Sequence, residues 1–213
     1  MRSTLLGCLL ACAPTIALSG TVEFRLADTK GRPVADAVVS LVPLDAPAHV
    51  APPAVPLEIM QQGQEFRPYV TALVVGTAVS FPNRDTVQHH VYSLSQPKMF
   101  ELPLYAGESK QAIVFDRPGV VALGCNIHDW MAAYIVVLET PWFARTGANG
   151  TATITAVPAG RYRAEVWHPR LAKGETRPVA VAAEASVPFS FTLALKPDRR
   201  VHRAPGAGSG GYK

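Results

Sequence analysis

The chain has 213 residues, of which 48% are hydrophobic and 17% charged, with a formal net charge of +4. It is too apolar for a disordered polymer, and long enough for one large domain or two small ones. The charge says little about partners: Lys196, Arg199, Arg200, Arg203 and Lys213 against Asp198 account for all of it, and no basic stripe interleaved with aromatics points to nucleic acid.

The first element is a targeting segment. Arg2 supplies a positive start, Leu5 to Leu18 is mostly apolar, and Ala17-Leu18-Ser19 offers the small residues a signal peptidase needs. The apolar run is shorter than the roughly 20 residues of a membrane span and is broken by Pro14. The expectation is a signal peptide over residues 1–19, cut before Gly20, and an exported mature chain with no integral membrane segment, in the periplasm or secreted. Leu9-Leu10-Ala11-Cys12 faintly resembles a lipoprotein box, but the apolar stretch ahead of Cys12 is too short. Cleavage removes Cys8 and Cys12 and leaves Cys125 alone. One cysteine builds no disulfide framework, and a free thiol in an oxidising compartment is a liability unless buried or occupied.

Short strands joined by Gly and Pro turns follow. Two apolar runs flank Asp28-Thr29-Lys30-Gly31, and residues 46–56 read as a Pro-rich connector. Val70 to Val75 and Ala78 to Phe81 are strands, with Gly76 between them and Pro82-Asn83-Arg84-Asp85 turning the chain afterwards. His90 to Leu94, Gln111 to Phe115, Val120 to Leu123 and Ala133 to Leu138 continue the pattern. Asn149-Gly150 is a turn pair of the hairpin kind, placed before strands at Thr151 to Val157, Tyr162 to Trp167, Val179 to Ala182 and Val187 to Leu195. The Gly/Pro-rich basic tail, 196–213, has the composition of a disordered segment. No helix is predicted.

The chemistry concentrates in GCNIHDWMAAYIVV, where Cys125, His128 and Met131 stand at three-residue intervals ahead of a strand. Thiolate and thioether favour copper and imidazole suits it; zinc accepts Cys and His but has little use for a thioether. A His2Cys site with a weak axial Met needs one further histidine. His89, at a strand start after a polar turn, is placed to supply it.

Residues from about Leu57 to Glu139, through VVGTAVSFPNRDTVQHHVYS and VFDRPGVVALGCNIHDWMAAYIVVLE, resemble a cupredoxin, and the short Cys-x2-His-x2-Met loop and the Asn83-to-His89 spacing resemble amicyanin in particular. The likeness extends to exported bacterial proteins of the methylamine-utilisation or plastocyanin-like kind. It implies a Greek-key sandwich, one type 1 copper per chain, His89, Cys125 and His128 as equatorial ligands and Met131 as the axial one. His90 stands where cupredoxins usually have an Asn that ties the ligand loops together, and is itself the alternative ligand. The resemblance makes His128 the electron port, with Ile127 and Trp130 beside it for a redox protein partner.

SGTVEFRLADTKGRPVADAVVSLVPL and TGANGTATITAVPAGRYRAEVWHP through VPFSFTLAL resemble two parts of a carboxypeptidase-regulatory-like sandwich. The expected fold is therefore all-β: a Greek-key cupredoxin sandwich, 57–140, inserted in or packed beside a second prealbumin/Ig-like β-sandwich made of 20–45 and 141–195. His168 reads as a structural histidine, and His128-Asp129 has no nucleophile beside it. With four protein donors there is no open position for substrate, so the expectation is a one-electron carrier and not an enzyme. A copper-trafficking or sensing protein, or a surface interaction module, is the alternative.

Overall fold

The computed structural model describes residues 19–45, 47, 51–108 and 111–198. The proposed signal segment up to Leu18, most of the tail, and Ala46 with 48–50 of the connector lie outside them. Every regular element among the described residues is a strand, so the chain is all-β, and no helix there is long and apolar enough to cross a membrane.

Strands β1 (Ser19–Asp28) and β2 (Val38–Pro43) open the chain, and β13 (Phe143–Arg145), β14 (Thr151–Pro158), β15 (Gly160–Trp167), β16 (Glu175–Val181) and β17 (Ser186–Leu193) close it. They form two sheets, ordered β14-β1-β17 and β13-β2-β15-β16, so both sheets draw strands from both ends of the sequence. Strict alternation makes this possible. Val22, Phe24 and Leu26 point inward from β1 while Thr21, Glu23 and Arg25 point away. The inward residues meet Val39, Leu41, Tyr162, Ala164 and Val166 in one core. Asn149-Gly150 carries the chain from one sheet to the other, since β13 and β14 lie in different sheets. Gly150 has φ +72°, and a Cβ there would sit 2.5 Å from the Leu26 carbonyl oxygen, so only glycine fits.

The intervening strands are β3 (Leu57–Glu58), β4 (Met60–Gln61), β5 (Phe66–Arg67), β6 (Val70–Val74), β7 (Thr77–Ser80), β8 (His89–Ser95), β9 (Lys98–Tyr105), β10 (Ile113–Phe115), β11 (Gly119–Gly124) and β12 (Ala132–Leu138). A five-stranded sheet, β6-β12-β11-β8-β9, faces a three-stranded one, β10-β7-β3, and β4 and β5 pair as a hairpin. Val91, Val121, Leu123, Ile135 and Val137 pack with Val79, Phe81 and Phe115 in a second core that also holds Cys125 and Met131. A third, small cluster of Val38, Val70 and Val136 joins the two assemblies, with Trp167 against Tyr134 at 5.6 Å between ring centroids.

The structure moves several predicted strands. β16 begins at Glu175 instead of Val179, and β17 ends at Leu193 instead of Leu195. β9, with its Pro103, pairs only with β8 and is a sheet edge, a position that tolerates a missing N–H.

Candidate metal centre

Cys125 follows β11 directly, and the loop to β12 consists of two consecutive turns over 126–127 and 129–130. A turn brings residues i and i+3 close together, so the first gathers Cys125 to His128 and the second His128 to Met131. The Met131 amide donates to the His128 carbonyl at 2.9 Å, closing the second turn. Gly124 opens the loop where Tyr92 of β8 crosses: a Cβ there would lie 2.8 Å from the Tyr92 ring.

The second histidine arrives from the neighbouring strand. His89 begins β8, and its Nδ1 lies 3.1 Å from Nδ1 of His128, which in turn lies 3.6 Å from Sγ of Cys125. All three donor atoms fall within 4.8 Å of one another. An ion bound by nitrogen at about 2.0 Å and by sulfur at about 2.3 Å sets such donors roughly 3.3–3.8 Å apart. The donor set suits a soft or borderline cation; the Sγ–Nδ1 separation lies inside that window and the Nδ1–Nδ1 separation just below it. Met131 is buried in the same core as Cys125.

The electrostatics favour positive charge between these donors. Burial by itself pushes the Cys125 thiol up. The neighbouring His89 imidazole and hydrogen bonds from the main-chain N–H of His90 and Ile127 outweigh it, and the net is a thiol below its ordinary value. Burial alone would lower His89, but its contacts with Cys125 and Asp85 leave the imidazole above its usual value.

His89 is completely buried (0% exposed). Its Nε2 contacts the Asp85 carboxylate at 2.7 Å, so Nε2 carries the hydrogen and Nδ1 faces the site. Asp85 also accepts from the main-chain N–H of Gly63 at 2.6 Å and of Gln64 at 2.8 Å. Sequence reasoning placed Asp85 in a turn and missed this role. The signal available was its position four residues before His89.

Asn83 organises the same turn. Its side-chain amide donates to the carbonyls of Val87 and Tyr105, and its oxygen accepts from the Asp85 amide. His90 is not among the converging donors. Its Nε2 meets Glu101 of β9 at 2.8 Å, and its Nδ1 is buried with no partner. Ile127 is 44% exposed beside the half-buried His128, and Val87, which the sequence reading passed over, is 39% exposed. The Trp130 ring lies 5.1 Å from that of His128, and its indole N–H donates to the Gln64 carbonyl at 3.2 Å. Asp129 and Trp130 also share a cleft of about 770 Å³ with Pro169, Arg170 and Lys196, which follow the outer strands β15 and β17.

No protein-family model and no curated protein matches the chain. Among solved structures it is similar to the copper-containing nitrite reductase NirK of Thermus scotoductus SA-01, with 29% identity over 46% of this chain and a TM-score of 0.39; it spans 27% of that enzyme's length. It is also similar to a novel purple cupredoxin from Nitrosopumilus maritimus, with 23% identity over 38% of this chain and 99% of that one, TM-score 0.35. A reduced amicyanin variant shares 19% identity over 47% of this chain and 98% of its own, TM-score 0.37. Each of these three likenesses covers less than half of this chain.

Proposed function

We propose that the chain is an exported one-electron carrier in which His89, Cys125, His128 and Met131 hold one type 1 copper ion. The observation that carries this reading is the convergence of the His89 imidazole, from the start of β8, on the His128 imidazole and buried Cys125 sulfur of the β11–β12 loop, Nδ1 to Nδ1 at 3.1 Å and Sγ to Nδ1 at 3.6 Å. Bound copper supplies a one-electron redox couple. The protein's part is to hold its donors still: Cys125 and His89 are buried, Asp85 fixes the His89 ring, and Asn83 fixes the turn that carries Asp85. Four protein donors leave no open position for a substrate, which supports carriage over catalysis. A redox protein would dock at the half-buried edge of His128, beside Ile127 and Trp130.

In this reading residues 57–140 form the copper-holding unit, set by a connector over 46–56 into a sandwich made of 20–45 and 141–195. Insertion is easy where the two joining ends lie close together, and β1 with β17 and β2 with β13 are each hydrogen-bonded neighbours. A second reading, copper trafficking or sensing, draws on the outer sandwich. Its Arg170, with Lys196 just beyond it, shares a cleft with the ligand loop, a feature simple electron carriage does not require.

Voltammetry of the copper-loaded chain separates the two. A reversible one-electron wave with fast self-exchange supports the carrier. Tight Cu(I) binding without a reversible wave contradicts it and favours trafficking.

A further inference from the structure

The hairpin of β4 and β5 turns through Gly63 and Gln64, with the Gln62 N–H donating to the Glu65 carbonyl at 3.0 Å. Gly63 has φ +68° and Gln64 φ +56°, the left-handed pair of a type I′ turn. Glutamine is an unfavourable residue there, because its Cβ crowds the following carbonyl. The strained conformation gives the turn two useful faces. Its successive N–H groups form a concave anion seat, filled by the Asp85 carboxylate. Its Gln64 carbonyl faces the other way and accepts the Trp130 indole N–H.

These contacts close a ring. From the turn it runs through Asp85 to Nε2 of His89 at 2.7 Å, across the two Nδ1 atoms at 3.1 Å to His128, over 5.1 Å to the Trp130 ring, and back to Gln64. The turn is itself stitched to the segment leading into Asp85, with Gln61 N–H on the Pro82 carbonyl and Arg84 N–H on the Gln61 carbonyl.

The geometry points to the Gly63–Gln64 turn as a positioning brace that couples the two histidines, holding His89 through Asp85 and His128 through Trp130. Its relevance to a metal rests on the reading of both histidines as ligands. Its mechanics do not. The brace is main chain on the turn side, so loosening the Trp130 contact must be felt at Asp85 and His89, on the far side of the site.

The test uses the full chain without metal. Trp130→Phe removes the indole N–H and keeps a ring against His128. Trp142→Phe is the control, deleting an indole bond of the same length, 3.2 Å but more exposed, to the Ala156 carbonyl in the outer sandwich. Hydrogen exchange at the Gly63 and Gln64 amides and at the His89 ring N–H is expected to quicken about fivefold in Trp130→Phe, the equivalent of one ordinary hydrogen bond. It should stay unchanged in Trp142→Phe. Unchanged exchange at all three protons in Trp130→Phe overturns the brace, as does equal acceleration in the control. Copper binding is measured separately. A chain with coupled exchange but no coloured copper complex keeps the brace and loses the copper reading, and the converse result does the opposite.

Discussion

Replacing Asp85 with alanine withdraws the acceptor from three donors at once: the Gly63 and Gln64 amides and Nε2 of His89. The His89 ring is fully buried, so its N–H is left without a partner, a loss of about 1–3 kcal/mol. The Gly63 contact is exposed and the Gln64 contact partly buried, so water replaces much of what they lose, and together they add about 1 kcal/mol. The expected loss is about 3 kcal/mol in the metal-free chain, read from denaturant unfolding followed at the amide signals of β8 and β11. The pH dependence has a definite sign. Burial raises the Asp85 carboxyl, but the donors from Gln64, His89 and Gly63 outweigh it and hold it below the ordinary range. A depressed carboxyl contributes stability that is present above its unfolded value of about 3.9 and is lost as pH falls through the folded value. The gap between wild type and Asp85→Ala should therefore be full at neutral pH and close in acid, below about pH 4. A loss under about 1 kcal/mol at neutral pH, or a gap that widens on acidification, would refute the reasoning.

Three further outcomes can be checked. In the metal-free chain, His89→Ala should raise the Cys125 thiol pKa, because burial already pushes it up and His89 is the first of the groups holding it down; ultraviolet thiolate absorbance against pH measures this, and no upward movement contradicts it. Trp167→Ala removes the ring tilted against Tyr134, 5.6 Å between centroids, at the contact between the two assemblies. It should weaken their mutual stabilisation by about 2 kcal/mol and split one denaturant transition into two, whereas a single unshifted transition says the contact is unimportant. Thr146 accepts the Ala37 amide and donates to the Val34 carbonyl while buried, so Thr146→Val should lose about 2 kcal/mol by calorimetry, and a change below about 0.5 kcal/mol would show those groups finding other partners.

The ligand loop was legible because its logic is local. Two adjoining turns bring residues three apart together, and the spacing of Cys125, His128 and Met131 states this directly. The choice between His89 and His90 was harder, since alternation on a strand should send them to opposite faces. Both are buried, at 0% and 8% exposure, because the β8–β9 ladder is irregular between His89 and Val91. Such a bulge depends on the partner strand and leaves no mark in HHVYS. The Gly63–Gln64 turn was invisible for a different reason. β4 and β5 are two residues each, too short for a periodic signal, and the turn's partners lie more than twenty positions away. β9 escaped notice because its run KMFELPLY mixes charge and proline, which an edge strand tolerates and a central one does not. The outer strands were easier to find. Their alternation is regular, as in Val22, Phe24 and Leu26.

The most direct test of the copper reading is the visible absorption spectrum of the full chain with one equivalent of Cu(II), recorded beside Cys125→Ala. The arrangement of His89, Cys125 and His128 predicts an intense thiolate-to-copper band in the wild type that is missing from the variant. A stoichiometric copper complex that stays colourless, or a band that survives the loss of Cys125, would contradict it.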